Sequence, residues 1–157
     1  TVSGELNLKM GGPGFDFFKS RGGLSGFPPV DEFGPEQFRR MIYSHKIRME
    51  PVPVFGAFDC PDAGQAAPLR SQSTTAIQAL NLFNSRFVAE RAEAFAKRIE
   101  AVAADDAGRQ IVTAFEYSLG RMPTDIERDA SLETVKQHGL ATLCRVLFNS
   151  NEFLFLP

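Results

Sequence analysis

The densest chemistry in this chain sits at Phe58-Asp59-Cys60-Pro61-Asp62. Asp59 and Asp62 stand three residues apart in a loop stiffened by Pro61. Such a pair can share a hard cation or polarise a water molecule. Two carboxylates, however, fall short of the ~6 oxygen ligands that calcium usually takes. The competing use is structural. Arg39, Arg40 and Arg70 supply opposite charge nearby in the sequence, and a guanidinium offers a planar fork to a carboxylate. The expectation is therefore that Asp59 or Asp62 pairs with one of these arginines and binds no metal.

Two further polar sets are candidates. Arg39-Arg40, beside Phe38 and Tyr43, can bind an anion or a partner domain instead of an aspartate. Gln78, Asn81 and Asn84 follow an i, i+3, i+6 spacing that puts three amides roughly on one side of an expected helix. They can bind a sugar, or satisfy the backbone of the preceding loop; the second use is favoured, because polar groups beside a buried loop are normally hydrogen-bonded to it.

Recognised catalytic patterns are missing. Gly11-Gly12-Pro13-Gly14 lacks the Gly-Lys-Ser/Thr of a phosphate loop and reads as a turn. There is no Gly-x-Ser-x-Gly elbow. The two cysteines, Cys60 and Cys144, form no Cys-x-x-Cys pair, which argues against a zinc ribbon or a haem attachment site. They read as free buried thiols, with a disulfide left open for an exported protein. Two histidines, His45 and His138, are too few for a His-rich metal site. A net charge of -2 builds no field for nucleic acid or an anionic membrane. No apolar run approaches the ~20 residues of a membrane span. The chain opens on Thr1-Val2-Ser3-Gly4 without Met, and so reads as a fragment or a processed product.

The elements that must position these residues follow from composition and period. With 157 residues and 43% hydrophobic content, the chain suits one globular domain. Its 15 Phe and no Trp predict a core of rings that need no hydrogen-bond partner. Residues 1–34, rich in Gly and Pro, predict an irregular arm whose Phe15, Phe17, Phe18, Phe27 and Phe33 dock on the core or on a domain beyond this chain. In the second case the chain by itself should self-associate. Pro35 and Glu36 can open a short helix with Phe38, Met41, Ile42 and Tyr43 as its stripe, ending near His45. Pro51 and Pro53 forbid its continuation, and 51–72 is loop.

From Ser73 the pattern becomes helical, with Ser73 or Thr74 as cap and Ile77, Leu80, Leu82 and Phe83 as an apolar face. Asn84-Ser85 breaks the run, and Ser85 can cap a helix with the stripe Phe87, Val88, Ala92, Phe95, Ala96, Ile99 and Val102. Asp105 or Asp106 starts the next, with Ile111, Val112, Phe115 and Leu119 inward. Gly120 and Pro123 make a corner, and Thr124-Asp125-Ile126-Glu127 is a capping box. That helix runs to about Gln137, Gly139 breaks it, and the last stripe is Leu140, Leu143, Cys144, Val146, Leu147 and Phe148. The tail Phe153-Leu154-Phe155-Leu156 is apolar enough to pack back. Short connections predict a mainly α fold: a small antiparallel helical bundle over 73–157, joined in one domain to the irregular arm, short helix and loop of 1–72.

Several segments in this order also resemble a known family. They are Ser3-Gly4-Glu5-Leu6-Asn7 with Gly11-Gly12-Pro13, Arg39-Arg40-Met41-Ile42-Tyr43, Phe58-Asp59-Cys60-Pro61-Asp62, and Ser73 to Leu80 with Asn84. Leu119-Gly120-Arg121-x-Pro123-Thr124 and Leu143-Cys144 through Phe153-Leu154 complete the pattern. The chain resembles the planctomycete family catalogued as domain of unknown function fifteen fifty-three. It departs from it by a Phe-rich stretch at 15–33 where proline-rich sequence is frequent. The resemblance implies a C-terminal module of large exported proteins, periplasmic or at the cell surface, with an upstream domain of the same polypeptide as partner. It also implies a frequent cytochrome c association, so any haem lies elsewhere in the parent and no cofactor belongs to this chain. It supplies no catalytic residues. The function expected is a structural and interaction module supporting the upstream domain. The alternatives are part of an enzyme acting on polysaccharide or a redox substrate, with Asp59 and Asp62 at a cleft mouth, or a carbohydrate-binding module.

Overall fold

A computed structural model describes residues 1–20, 28, 30, 33–45, 80 and 82–154. The chain divides into two compact units, Thr1–Gly4 with Ala79–Pro157, and Glu5–Gln78. The described residues are mainly helical and contain no strand, only two isolated bridges.

The first unit is a small helical bundle. Residues 80 and 82–84 are helical. Then come α1 (Arg86–Ala103), α2 (Ala107–Leu119), α3 (Asp125–His138), α4 (Leu140–Phe148) and the single turn α5 (Asn151–Leu154). Ser85 does hold the N-cap of α1 in extended geometry, but its side chain makes no capping bond. Asp106 caps α2 by accepting from the Arg109 amide at 3.0 Å. Gly120 ends α2 at φ 71°, the left-handed conformation that glycine adopts without a Cβ clash. Thr124 Oγ1 accepts from the Glu127 amide, and the Glu127 carboxylate accepts from the Thr124 amide at 2.7 Å, so the predicted box is formed. Gly139 alone separates α3 from α4, at φ 84° and ψ 164°, a region closed to other residues.

α1 packs on α2 and α4, α3 on α2 and α4, and α5 on α2 and α4. Phe95, Ile99, Ile111 and Cys144 are fully buried at the centre. Phe95 stacks on Phe148 at 5.5 Å between centroids, and Phe148 meets Phe153 at 5.0 Å, so the tail packs back as far as Phe153. Residues 155–157 lie outside the described residues. Five apolar-face assignments in this unit need correction: Leu80, Phe83, Phe87, Val102 and Val146 are 58%, 48%, 39%, 46% and 49% exposed, and Ile77 lies outside the described residues. On α1 the buried line runs Ala92, Phe95, Ala96, Ile99, Ala103; the small Ala103 takes the inward position, which turns Val102 about 100° off it.

The second unit departs further from expectation. No helix forms over residues 35–45; only a 3-10 turn, Met41–Tyr43, appears. In a helix the Phe38 carbonyl would accept from residue 42. Here it accepts from the Asn7 amide at 2.8 Å, and the Tyr43 carbonyl accepts from the Phe15 amide at 2.9 Å. The arm has taken the bonds that a helix would have used. Phe15 and Phe18 are buried, and Phe17 packs edge-on to Phe15 at 5.3 Å and to Phe33 at 5.6 Å. Phe17 and Phe33 are half-buried, and Phe27 is outside the described residues.

Candidate functional site

The arm and the segment after Pro35 are tied at two parallel bridges, Asn7 to Arg39 and Phe15 to Ser44. Residues 8–14 span the interval on one side and 40–43 on the other, so the arm must bulge. Gly11 and Gly12 turn it at φ 73° and 79°. The turn aims three carbonyls at one point, and the Arg39 guanidinium fills that point. Nη1 donates to Pro13 O at 2.9 Å, and Nη2 donates to Lys9 O at 2.9 Å and Gly11 O at 2.7 Å. Arg39 is only 8% exposed and lies 3.9 Å over the Tyr43 ring. The Tyr43 oxygen in turn accepts from the Gly11 amide at 3.0 Å. That bond, helped by Arg40 and Arg39, lowers the Tyr43 phenol from its usual range.

Beyond the loop the chain is held close. A side chain at Gly14 would bring a Cβ to 2.5 Å from the Tyr43 carbonyl oxygen, so only glycine fits. Asp16 pairs with His45 at 2.9 Å. On the Arg39 side lies an open pocket of about 450 Å³, with Phe15, Phe18 and Val30 as apolar wall and Asp16, Glu36 and Arg39 as polar wall. Gln37 also faces it, and its Oε1 accepts from the Gly34 amide at 2.8 Å.

The bundle unit has its own arginine centres. Arg98 donates to the carbonyls of Thr1 and Val2, the latter at 2.7 Å, and lies 4.6 Å over Tyr117. Arg121 grips two carboxylates at once. Its Nη1 and Nη2 donate to Glu127, and its Nε and Nη2 donate to Glu152, with three of these bonds at 2.7 Å and one at 2.9 Å. The clamp fastens α5 to the corner before α3. Arg121 and the Thr124 donors hold the Glu127 carboxyl down to about 2, and Arg121 also lowers Glu152. Arg145 donates to the Phe83 carbonyl and covers that ring. Cys144 is a free thiol with no exposure, and burial pushes it up to about 12, so it stays protonated and inert.

Of the predicted site residues, Asp59, Asp62, Arg70, Gln78 and Asn81 lie outside the described residues, as does Cys60. Arg39 is placed at the carbonyl loop, and Arg40 stands exposed beside the Tyr43 hydroxyl. Among the described residues no three His, Cys, Asp or Glu side chains gather as for a metal. The Arg121 clamp was missed because its second partner is 31 residues away. The Arg39 centre had a signal, Gly11-Gly12-Pro13-Gly14, which marked a tight turn but not what the turn encloses.

The model of a family described as PSD1, protein of unknown function (DUF1553), matches residues 1–135, and the chain belongs to that family. No curated protein and no solved structure matches it. No helix among the described residues is long and apolar enough to cross a membrane.

Proposed function

We propose that this family member is a structural and interaction module at the C-terminal end of an exported multidomain bacterial protein, where it supports an upstream domain. One observation carries the reading: its best-placed cations hold its own chain. Arg39 is committed to the carbonyls of Lys9, Gly11 and Pro13, and Arg98 to those of Thr1 and Val2. Arg121 is committed to Glu127 and Glu152. A guanidinium engaged by several main-chain or clamp acceptors fixes irregular segments in place. Such rigid segments suit a docking surface, where preorganisation lowers the entropy cost of association. Export to the periplasm or cell surface and a planctomycete source belong to the same proposal. So does haem carried elsewhere in the parent, since this chain lacks the two spaced cysteines that haem attachment needs.

The test uses the parent polypeptide with and without residues 1–157. Limited proteolysis and thermal unfolding of the upstream part are compared, and the isolated chain is then added back in trans. The upstream part should become protease-sensitive on deletion and recover on addition. Unchanged stability together with lost catalysis would instead make this chain part of an active site.

A further inference from the structure

We propose that copies of this chain associate head to tail: the lobe that Arg39 organises on one copy seats against the α2–α3 corner of the next. This does not depend on the module reading above. Both surfaces are apolar, both are held rigid, and they carry opposite charge.

The lobe is the stretch between the two bridges, residues 8–14 and 40–43. Leu8, Met10, Met41 and Ile42 stand exposed there. Lys9 and Arg40 are exposed beside them, and neither run contains a carboxylate. The Arg39 bonds to three arm carbonyls and the bond between Gly11 and Tyr43 fix its shape.

The corner repeats the pattern with the other sign. Met122 is exposed, and Ile126 is turned about 140° around α3 from the buried Ser131. Ala130, one turn further on, is exposed on the same side. Asp125, Asp129 and Glu133 flank this line, and residues 122–135 hold four carboxylates against one arginine. The Arg121 clamp and the capping box fix the corner. Ile42 and Ile126 are each 83% exposed, so leaving water would stabilise both. Rigid surfaces also lose little freedom on docking.

Charge decides the occupant. Two lobes, or two corners, would bring like charges together and oppose contact. A lobe on a corner sets Lys9 and Arg40 against Asp125, Asp129 and Glu133 while the apolar side chains of both leave water. An anionic membrane would suit the lobe but repel the corner. Because the two surfaces differ, each pairing leaves one lobe and one corner open, and the assembly extends or closes as a ring.

The experiment is sedimentation equilibrium of the full chain from about 10 µM to about 1 mM, a range that spans weak association through small interfaces. The weight-average mass of the wild type should climb past the dimer, and raising NaCl from about 50 to about 500 mM should weaken association about 5-fold. Ile42→Ser spoils the lobe and Ile126→Ser the corner, so each alone should associate about 10-fold more weakly. Mixed, they retain one intact lobe and one intact corner, and should form a one-to-one dimer that grows no further. Lys9→Glu should weaken association about 5-fold, and Lys97→Glu, at an exposed lysine of α1, should leave it unchanged. Unchanged amide exchange at Gly11 and Glu127 verifies that each variant keeps its fold. A wild type that stays monomeric overturns the proposal, whether or not it binds phosphatidylglycerol vesicles. It is equally overturned if the mixture stays monomeric or grows as the wild type does. Equal effects of Lys9→Glu and Lys97→Glu would also overturn it.

Discussion

Replacing Arg39 tests whether one side chain organises the arm. The guanidinium makes three hydrogen bonds, to Lys9, Gly11 and Pro13, and covers the Tyr43 ring. A bond from a charged donor contributes about 1.5–3 kcal/mol when its acceptor stays dry. Here the acceptors belong to exposed residues, so water re-satisfies them after substitution. About 1 kcal/mol per bond is then the better figure, and Arg39→Ala should cost the arm roughly 3 kcal/mol. Arg39→Lys keeps the charge as a single point without the fork, so it should lose about half of that. The chain has two units, and one melting temperature would blend them. Amide hydrogen exchange reads each locally. The amides of Asn7, Gly11 and Phe15 are bonded to Phe38, Tyr43 and Tyr43 respectively. Their exchange should accelerate about 100-fold in Arg39→Ala and about 10-fold in Arg39→Lys. The amides of Phe95 and Leu143 are the internal reference. Equal acceleration at the reference amides, or none at the arm, would refute the reasoning.

Three further outcomes are expected. Thr124→Ala removes the cap of α3 and should cost the bundle about 1 kcal/mol, read as faster exchange across Asp125–Arg128; an unchanged rate there contradicts the capping geometry. Ala104 sits at φ 48° and ψ -136°, a conformation costing about 1–3 kcal/mol without glycine; after glycine's larger unfolded entropy, Ala104→Gly should still stabilise α1 by about 1 kcal/mol, and faster amide exchange at Phe95 and Ile99 would disprove the strain. Glu127 is lowered to about 2 in the folded chain against its ordinary 4.5, and Glu152 is lowered too, so the clamp's contribution is full above about pH 4.5 and disappears as pH falls toward 2. Carboxyl carbon shifts that place Glu127 near 4.5 would count against the Arg121 clamp.

The helices of residues 86–148 were legible because their determinants are local. A stripe at three- and four-residue spacing, the caps at Asp106 and Thr124, and the stops at Gly120 and Gly139 all act within a turn or two, and periodicity reports them directly. Even there, which of Val102 and Ala103 faces inward depended on how closely the neighbouring helices approach. Residues 35–45 carry the same apolar spacing, yet the arm claims their carbonyls from about 30 residues away and leaves a single 3-10 turn. The candidate pocket is less legible still. Gly11 and Gly12 turn a bulge around Arg39, whose guanidinium is held by carbonyls of the arm, and Asp16 and Glu36 line the same pocket as that arginine. Periodicity carries no information about such contacts: they join residues with no common spacing, and only the closing of the chain on itself decides which charges meet.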